Sequence, residues 1–328
     1  GVFTTSKIRD DCPPWTFQAK EITHDKKSKR ISYKNSWLKL YDVPVFYFPK
    51  FFHPDPTVKR QSGFLMPSLI NSSKNGSSIQ IPYFKVIAEN KDFTITPRIY
   101  FNNDLFVQGE YRQVEKNTEH STDFSIKKLD KNSKSHFFTN TNHNFESSFF
   151  DYSNLEINLE KTTNDTYLKS DNIISETRKT DNQSLLNSYV KYNSNNENLS
   201  FSLNLEAYED LSIEKKSDKF QYVFPNFTLS KIIDTNLEGN LTYKISGSNQ
   251  LRNTNEKKKS VTNDLNYKSK SYISKYGMIS SYDILLKNAT NGGKNIENDK
   301  TQTENYSSLV FTSSLPLKKE SSNFISNL

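Results

Sequence analysis

The chain has 328 residues, of which 33% are hydrophobic, 25% charged and 13% aromatic, with a formal net charge of +7. So few apolar residues argue against an ordinary water-soluble core of this size, and 23 Phe and 18 Tyr argue against disorder. No run of about 18 apolar residues exists, which excludes a transmembrane helix and leaves β-structure with a wet interior, where only every second strand residue is apolar.

In chain order, Val2 to Thr5 already reads as strand, and residues 1–12 carry no apolar stretch of the signal-peptide kind, so more chain upstream is expected. The single cysteine, Cys12, has no partner for a disulfide within the chain; a partner outside the chain or a free thiol is expected. Short strands follow at Trp15–Lys20, Arg30–Lys34 and Trp37–Tyr41, with charged turns such as His24 to Lys27. Trp15, Phe17 and Ala19 share one apolar face in this reading, and Leu38 and Leu40 share another. Core packing is the default for such faces. Residues 49–61 carry Pro49, Pro54 and Pro56, and read as a semi-rigid connector.

From Ser62 the strands lengthen to about ten residues, enough to cross a bilayer at a tilt. The clearest is 93–101, which places Phe93, Ile95, Ile99 and Phe101 outward and Thr94, Thr96 and Arg98 inward, followed by a turn at 102–104. On the next, Leu105, Val107 and Tyr111 face outward and Gln108, Glu110 and Arg112 inward, because a lipid-facing Arg costs about 2–4 kcal/mol at mid-bilayer. The same alternation recurs at Leu155, Ile157 and Leu159, at Leu199 to Ala207, and at Leu241, Tyr243 and Ile245. Residues 62–328 are expected to supply roughly a dozen strands. Lysines cluster at 26–30 and at 257–259; solvated turns are one reading and attraction to an anionic partner such as a phosphorylated glycolipid the other. Nothing supports nucleic-acid binding. The five histidines lack metal-ligand spacing, and no cofactor motif or nucleophile elbow is present, so neither a metal site nor an enzyme is expected.

Residues 12–112 carry a resemblance. Cys12-Pro13-Pro14-Trp15, Val43-Pro44-Val45-Phe46-Tyr47-Phe48-Pro49, Lys59 to Pro67, Pro82-Tyr83-Phe84 and Gly109-Glu110-Tyr111-Arg112 are similar, in motif and spacing, to landmarks of the lipopolysaccharide-assembly protein family (LptD, OstA or Imp). Fainter matches are Asn164 to Lys169 and Phe224-Pro225-Asn226-Phe227. The resemblance implies an all-β protein: the end of a periplasmic β-jelly-roll (1–48), the connector (49–61) and the first part of a large antiparallel transmembrane β-barrel (62–328), left open and incomplete, with more chain expected beyond both ends. It further implies an outer-membrane location with the N-terminal part in the periplasm. The implied function is delivery of lipopolysaccharide from a periplasmic bridge protein to the outer leaflet, with a plug lipoprotein and outer-membrane lipids as further partners.

On that resemblance, Trp15, Phe17, Ala19, Leu38 and Leu40 become candidates for an acyl-chain groove. Pro67, in a first strand over Ser62–Leu69, and Pro82, in a second over Ser77–Val86, become candidates for a lateral gate, since a strand proline removes a ladder donor. Cys12 matches a family cysteine engaged in long-range disulfides, though its companions are absent here. Two other readings stay open: a passive outer-membrane channel, and a soluble β-rich surface protein.

Overall fold

The computed structural model describes residues 2–3, 15–55, 57–58, 60–72, 76–101, 104–128, 133–214, 219–252, 256–296, 300–316, 318–320 and 325–327. It is all-β, 72% strand and 2% helix, built of large antiparallel sheets. The chain divides into two units, Gly1–Leu65 with Tyr83–Val86, and Met66–Pro82 with Ile87–Leu328.

The first unit is built on a four-stranded antiparallel sheet of β1 (Val2–Phe3), β2 (Trp15–Asp25), β3 (Arg30–Leu40) and β4 (Val43–Pro54), in that order. The segments expected as separate strands at 30–34 and 37–41 are one strand. Asn35 joins them with φ 46°, in the left-handed region that Asn tolerates. Opposite Asn35, between the pairs Lys34↔Lys50 and Ser36↔Phe48, lies Pro49, which has no N–H to offer. Tyr41 and Asp42, φ 46° and 63°, close the β3–β4 hairpin as a two-residue turn of the type that matches strand twist. Because β4 is an edge strand, it carries Pro44, Pro49 and Pro54 without breaking a ladder on its far side. The first half of the segment read as a connector is therefore strand up to Pro54.

The core of this sheet is aromatic. Phe17, Ala19 and Tyr33 are buried, and Ile31, Leu38, Phe48 and Phe51 pack against them. Phe17 meets Tyr33 edge-on at 5.3 Å and Phe51 at 5.0 Å between ring centroids. The Tyr33 hydroxyl satisfies itself against His53 Nε2 at 2.7 Å, and burial pushes the Tyr33 pKa up. The Asp25 carboxylate accepts from the backbone N–H groups of Lys27 and Ser28 at 2.9 and 3.1 Å and so shapes the β2–β3 turn. A short β5 (Gly63–Phe64) ends the first stretch of this unit.

The second unit opens with β6 (Ser68–Ser72) and β7 (Gly76–Gln80). β8 (Tyr83–Ala88) belongs through Val86 to the first unit, where it pairs with β5; the second unit continues with β9 (Lys91–Tyr100), β10 (Leu105–Val114), β11 (Thr118–Lys128), β12 (Ser133–Asn144) and β13 (Tyr152–Thr162). A short helix α1 (Tyr167–Ser170) interrupts the run. Then follow β14 (Leu185–Asn195), β15 (Leu199–Asp210), β16 (Phe220–Ile233), β17 (Gly239–Arg252), β18 (Glu256–Ser269), β19 (Tyr272–Ile273), β20 (Ile279–Lys294) and β21 (Gln302–Ser314). Two small strands, β22 (Lys318–Glu320) and β23 (Ile325–Asn327), pair apart from the rest.

Antiparallel ladders run without a gap from β6 through β7 and β9 to β18, and on through β20 to β21.

Side chains alternate across this sheet as the period-two pattern demands. One face carries Val107, Phe124, Phe137, Ile157, Val190, Leu205, Phe227, Ile245, Leu265 and Leu286, whose continuity follows from the strand registers. We call this the outer face. The other, inner face carries Gln108, Asp123, Asn140, Glu156, Lys191, Asn204, Lys244 and Asp264. Gly109 shows how tightly the outer face is filled. A Cβ there would lie 2.6 Å from Phe124 Cζ and 3.0 Å from Phe93 Cζ, and those two rings stack across the gap at 6.4 Å.

Candidate functional site

Two places in the second unit gather the residues that sequence reasoning singled out. The first is the break at the two prolines. Strands expected to be continuous over Ser62–Leu69 and Ser77–Val86 are each interrupted, at 65–67 and 81–82. Beyond the breaks Ser68 pairs with Gln80 and Leu69 with Ile79. Pro67 and Pro82 therefore flank the same level of one hairpin, each beside the first residue of a renewed strand. A proline has no N–H for a ladder and holds φ near −65°, so both strands lose a donor at that level. On the far side of the break, among the described residues, β7 pairs with Arg98 to Tyr100 of β9, extended at one end by Ile81 N–H to Pro97 O and at the other by Phe101 N–H to Ser77 O, each at 3.1 Å.

The second place is the inner face of β9 to β13, over which the segment 163–184 is folded. Its helix α1 buries Tyr167 and Leu168, and with Ile173 these pack into one apolar cluster with Tyr100, Phe106, Phe138, Leu186 and Leu211. Around that cluster lies a buried polar network. Lys127 Nζ donates to Asp171 Oδ1 at 2.7 Å, the two side chains being 2% and 0% exposed. Tyr100 donates to the same oxygen at 3.0 Å, and Ser170 to the other at 2.8 Å. Arg98 donates to the Asp171 backbone oxygen at 2.7 Å and to Gln80 Oε1 at 3.2 Å, with its guanidinium 4.7 Å from the Phe106 ring centroid. Nearby, His136 lies 3.1 Å from Asp123, and Ser125 bridges His136 Nδ1 and the Tyr167 hydroxyl at 2.6 and 2.7 Å. Burial raises the Tyr167 pKa well above its ordinary value. Arg178 fastens the later part of the segment to Glu160 Oε2 at 3.2 Å and to the Asn182 and Leu185 carbonyls.

Each expected site residue has a definite place. Arg98, Gln108, Glu110 and Arg112 share the inner face. Gln108 donates to Asp123 at 3.0 Å and to the Ile174 carbonyl at 3.2 Å. Arg112 holds Asp92 at 2.8 Å and lies 3.6 Å from Glu110 and 3.7 Å from Glu176. Arg98, Gln108 and Glu110, with Asn172 and Glu176 from the covering segment, line a cavity of about 260 Å³. In the first unit, Phe17 and Ala19 lie in the aromatic core. The register sets Phe17 opposite Leu38, so these two share one face and the expectation of separate faces is corrected for them. Leu38 is half-buried and Leu40 is 46% exposed. The Trp15 side chain and Cys12 lie outside the described residues.

Sequence reasoning missed Asp171, Lys127, Tyr167 and Arg178 as a set. The available signals were a connection far longer than the usual loop of a few residues and an apolar Tyr167-Leu168 pair inside polar chain. Among the described residues no group of His, Cys, Asp and Glu is arranged to hold a metal, and no helix is long and apolar enough to cross a membrane.

An extended antiparallel sheet with an apolar outer face and a charged inner one defines the class: a β-protein of the membrane-barrel type. The comparisons with known proteins give the particular likeness. The chain is 39% identical over 110 residues to the LPS-assembly protein LptD of Psychrobacter cryohalolentis, a match covering 32% of this chain and 11% of that protein. It is 38% identical over 110 residues to the LptD of Psychrobacter arcticus, covering 32% and 12%. To that of Ectopseudomonas mendocina it is 34% identical over 119 residues, covering 36% and 12%. The matches thus span about an eighth of the length of these relatives, and about a third of this chain. No family model matches the chain.

Proposed function

We propose that this chain forms part of an outer-membrane β-barrel that assembles lipopolysaccharide into the outer leaflet of a Gram-negative cell. The observation that carries the reading is the outer face of β9 to β21, apolar in strand after strand. In water such a surface is a liability, whereas in a bilayer it is the lipid-facing wall. The named relatives supply the cargo. Transport makes and breaks no bond, so the role is that of a translocon rather than an enzyme.

In this reading the first unit is the membrane-near end of a periplasmic jelly-roll, fed by a periplasmic bridge protein. The face of Phe17, Ala19, Leu38 and Leu40 continues an acyl-chain groove, and residues 55–61 connect to the barrel. The inner-face polar and charged residues Arg98, Gln108, Glu110 and Arg112 border the lumen, where a plug lipoprotein docks. The break at Pro67 and Pro82 is the lateral exit: with fewer inter-strand bonds to open and no replacement partner in lipid, the seam yields there first.

The test is Pro67→Ala with Pro82→Ala in the full-length protein, in cells depleted of their own lipopolysaccharide-assembly protein. Delivery of newly made lipopolysaccharide to the surface should slow. Unchanged delivery by a protein present at normal level in the outer membrane sinks the seam. Recovery of the protein in buffer without detergent sinks the membrane reading as a whole.

A further inference from the structure

The lysines at 257–259 are not all in one environment. Register sets Lys257 opposite Leu251 and Lys259 opposite Asn249, on the outer face, whereas Lys258 lies opposite Gln250 on the inner one. From the next strand Lys294 stands directly opposite Lys257. Lys257, Lys259 and Lys294 are all exposed, and among the described residues none of them forms an ion pair. Like charges directly opposite on neighbouring strands are destabilising, so this corner of the outer face is repulsive without an anion on it.

Its surroundings say which kind of anion. Tyr222 and Phe224 lie 5.5 Å apart and, with Asn249, Leu251, Lys257 and Lys259, line a surface cleft of about 320 Å³. Along β18 the outer positions then run Val261, Asn263, Leu265 and Tyr267. Tyr267 lies 5.8 Å from Tyr282, which lies 6.5 Å from Tyr272. Tyr267 and Lys257 are about ten residues apart, the length of a tilted strand crossing a bilayer. Two aromatic groups at that spacing, with Val261 and Leu265 among the outer positions between them, mark two membrane interfaces, and the lysines sit at one of them. A soluble anion would engage the lysines alone. An amphipathic one also covers the aromatic cleft and the outer positions leading away from it.

We propose that Lys257, Lys259 and Lys294 bind the phosphate groups of a phosphorylated lipid headgroup in the surrounding leaflet, with the lipid's acyl chains against the outer face beside Tyr222 and Phe224. The site lies on the wall and is separate from any interior route. It rests on the membrane-spanning reading of the sheet.

The test uses the full protein in dodecyl maltoside, titrated with diphosphorylated lipid A, with retained lipid counted by native mass spectrometry. K257Q/K259Q/K294Q should weaken retention about tenfold or more, given the contribution of each surface lysine to anionic-lipid attraction. K244Q/K287Q, on the inner face of the same strands, should leave it unchanged, and millimolar inorganic pyrophosphate should not displace the lipid. Equal retention by wild type and the triple variant overturns the site, and so does displacement by pyrophosphate alone, which signifies a soluble anion. Heat-dependent gel migration reports folding. If the triple variant does not fold, K294Q and K257R/K259R/K294R decide: loss in the first with retention in the second supports the site, and equal retention in both overturns it. A protein that stays in solution without detergent disproves the membrane reading itself, whereas a detergent-dependent one with unaltered lipid retention disproves only this site.

Discussion

Lys127 on β11 and Asp171, just beyond α1, form an ion pair at 2.7 Å with both side chains withdrawn from solvent. The pair links a strand to a segment 44 positions further along the chain, and Tyr100 and Ser170 complete the carboxylate's partners. Breaking such a pair takes a buried charge from its nearest partner and costs up to about 3–5 kcal/mol, Asp104 at 3.7 Å being the carboxylate left to Lys127. Asp171→Ala should therefore free the segment 163–184, read as rapid tryptic cleavage at Lys169, Arg178 and Lys179. Asp171→Leu with Lys127→Met should cost less than the sum of the two single changes. Cleavage of the single variant at the wild-type rate would show that the segment is held elsewhere.

Gly109 gives a second prediction. With Phe124 Cζ 2.6 Å from any Cβ, Gly109→Val drives the Phe93–Phe124 stack apart and overpacks the outer face, at about 1–3 kcal/mol. The folded, heat-modifiable band should be lost at a lower temperature. Gly109→Val with Phe124→Leu should recover part of the difference; no recovery would place the strain in the backbone.

Acid should act on the first unit through its turns. Backbone and side-chain hydrogen bonds from Thr57 hold the Asp55 pKa down at about 2, with His24 adding to the effect. Hydrogen bonds from Ser28 and Lys27 lower that of Asp25. Both groups bind a proton more readily unfolded, at about 3.9, than folded. Their contribution is therefore full above about pH 4 and is lost as pH falls toward about 2. Trp15 and Trp37 are the only tryptophans in the chain, so tryptophan fluorescence follows this unit selectively. Asp55→Asn should flatten the acid limb of the titration, and an unchanged limb would remove Asp55 from the account.

Arg178 offers a test of how far the inner-face cover is cooperative. It binds Glu160 and two backbone carbonyls and lies 5.2 Å from the Phe138 ring. Arg178→Lys keeps the charge but loses the planar fork. Hydrogen exchange at 173–184 should rise while that at Lys127 and its neighbours holds. A rise across the whole of β11 would mean that the network opens as one.

Much of the second unit was legible from alternation alone. Arg98, Gln108, Glu110 and Arg112 fall on one face because strands have period two, and a charge there has a single acceptable side. The first unit was harder to read. Asn35 and Pro49 look like strand breakers, yet they face each other within a continuous β3–β4 pair, a tertiary fit that local propensity does not register. The breaks at Pro67 and Pro82 were expected as residues but not as a shared level, since that depends on hairpin register. The Lys127–Asp171 pair was invisible because period and spacing carry no information on where a long connection lies down.

That connection alters the character of the sheet beneath it. Where Tyr167, Leu168 and Ile173 cover Phe106 and Phe138, the strands have packed side chains on their inner surface, as in a globular domain. Along β17 to β21 the inner surface holds polar groups such as Lys244, Asn291 and Gln302. Stability along the sheet is thus uneven. The region around β9 to β13 has a miniature core of its own and should resist local opening longer than the later strands.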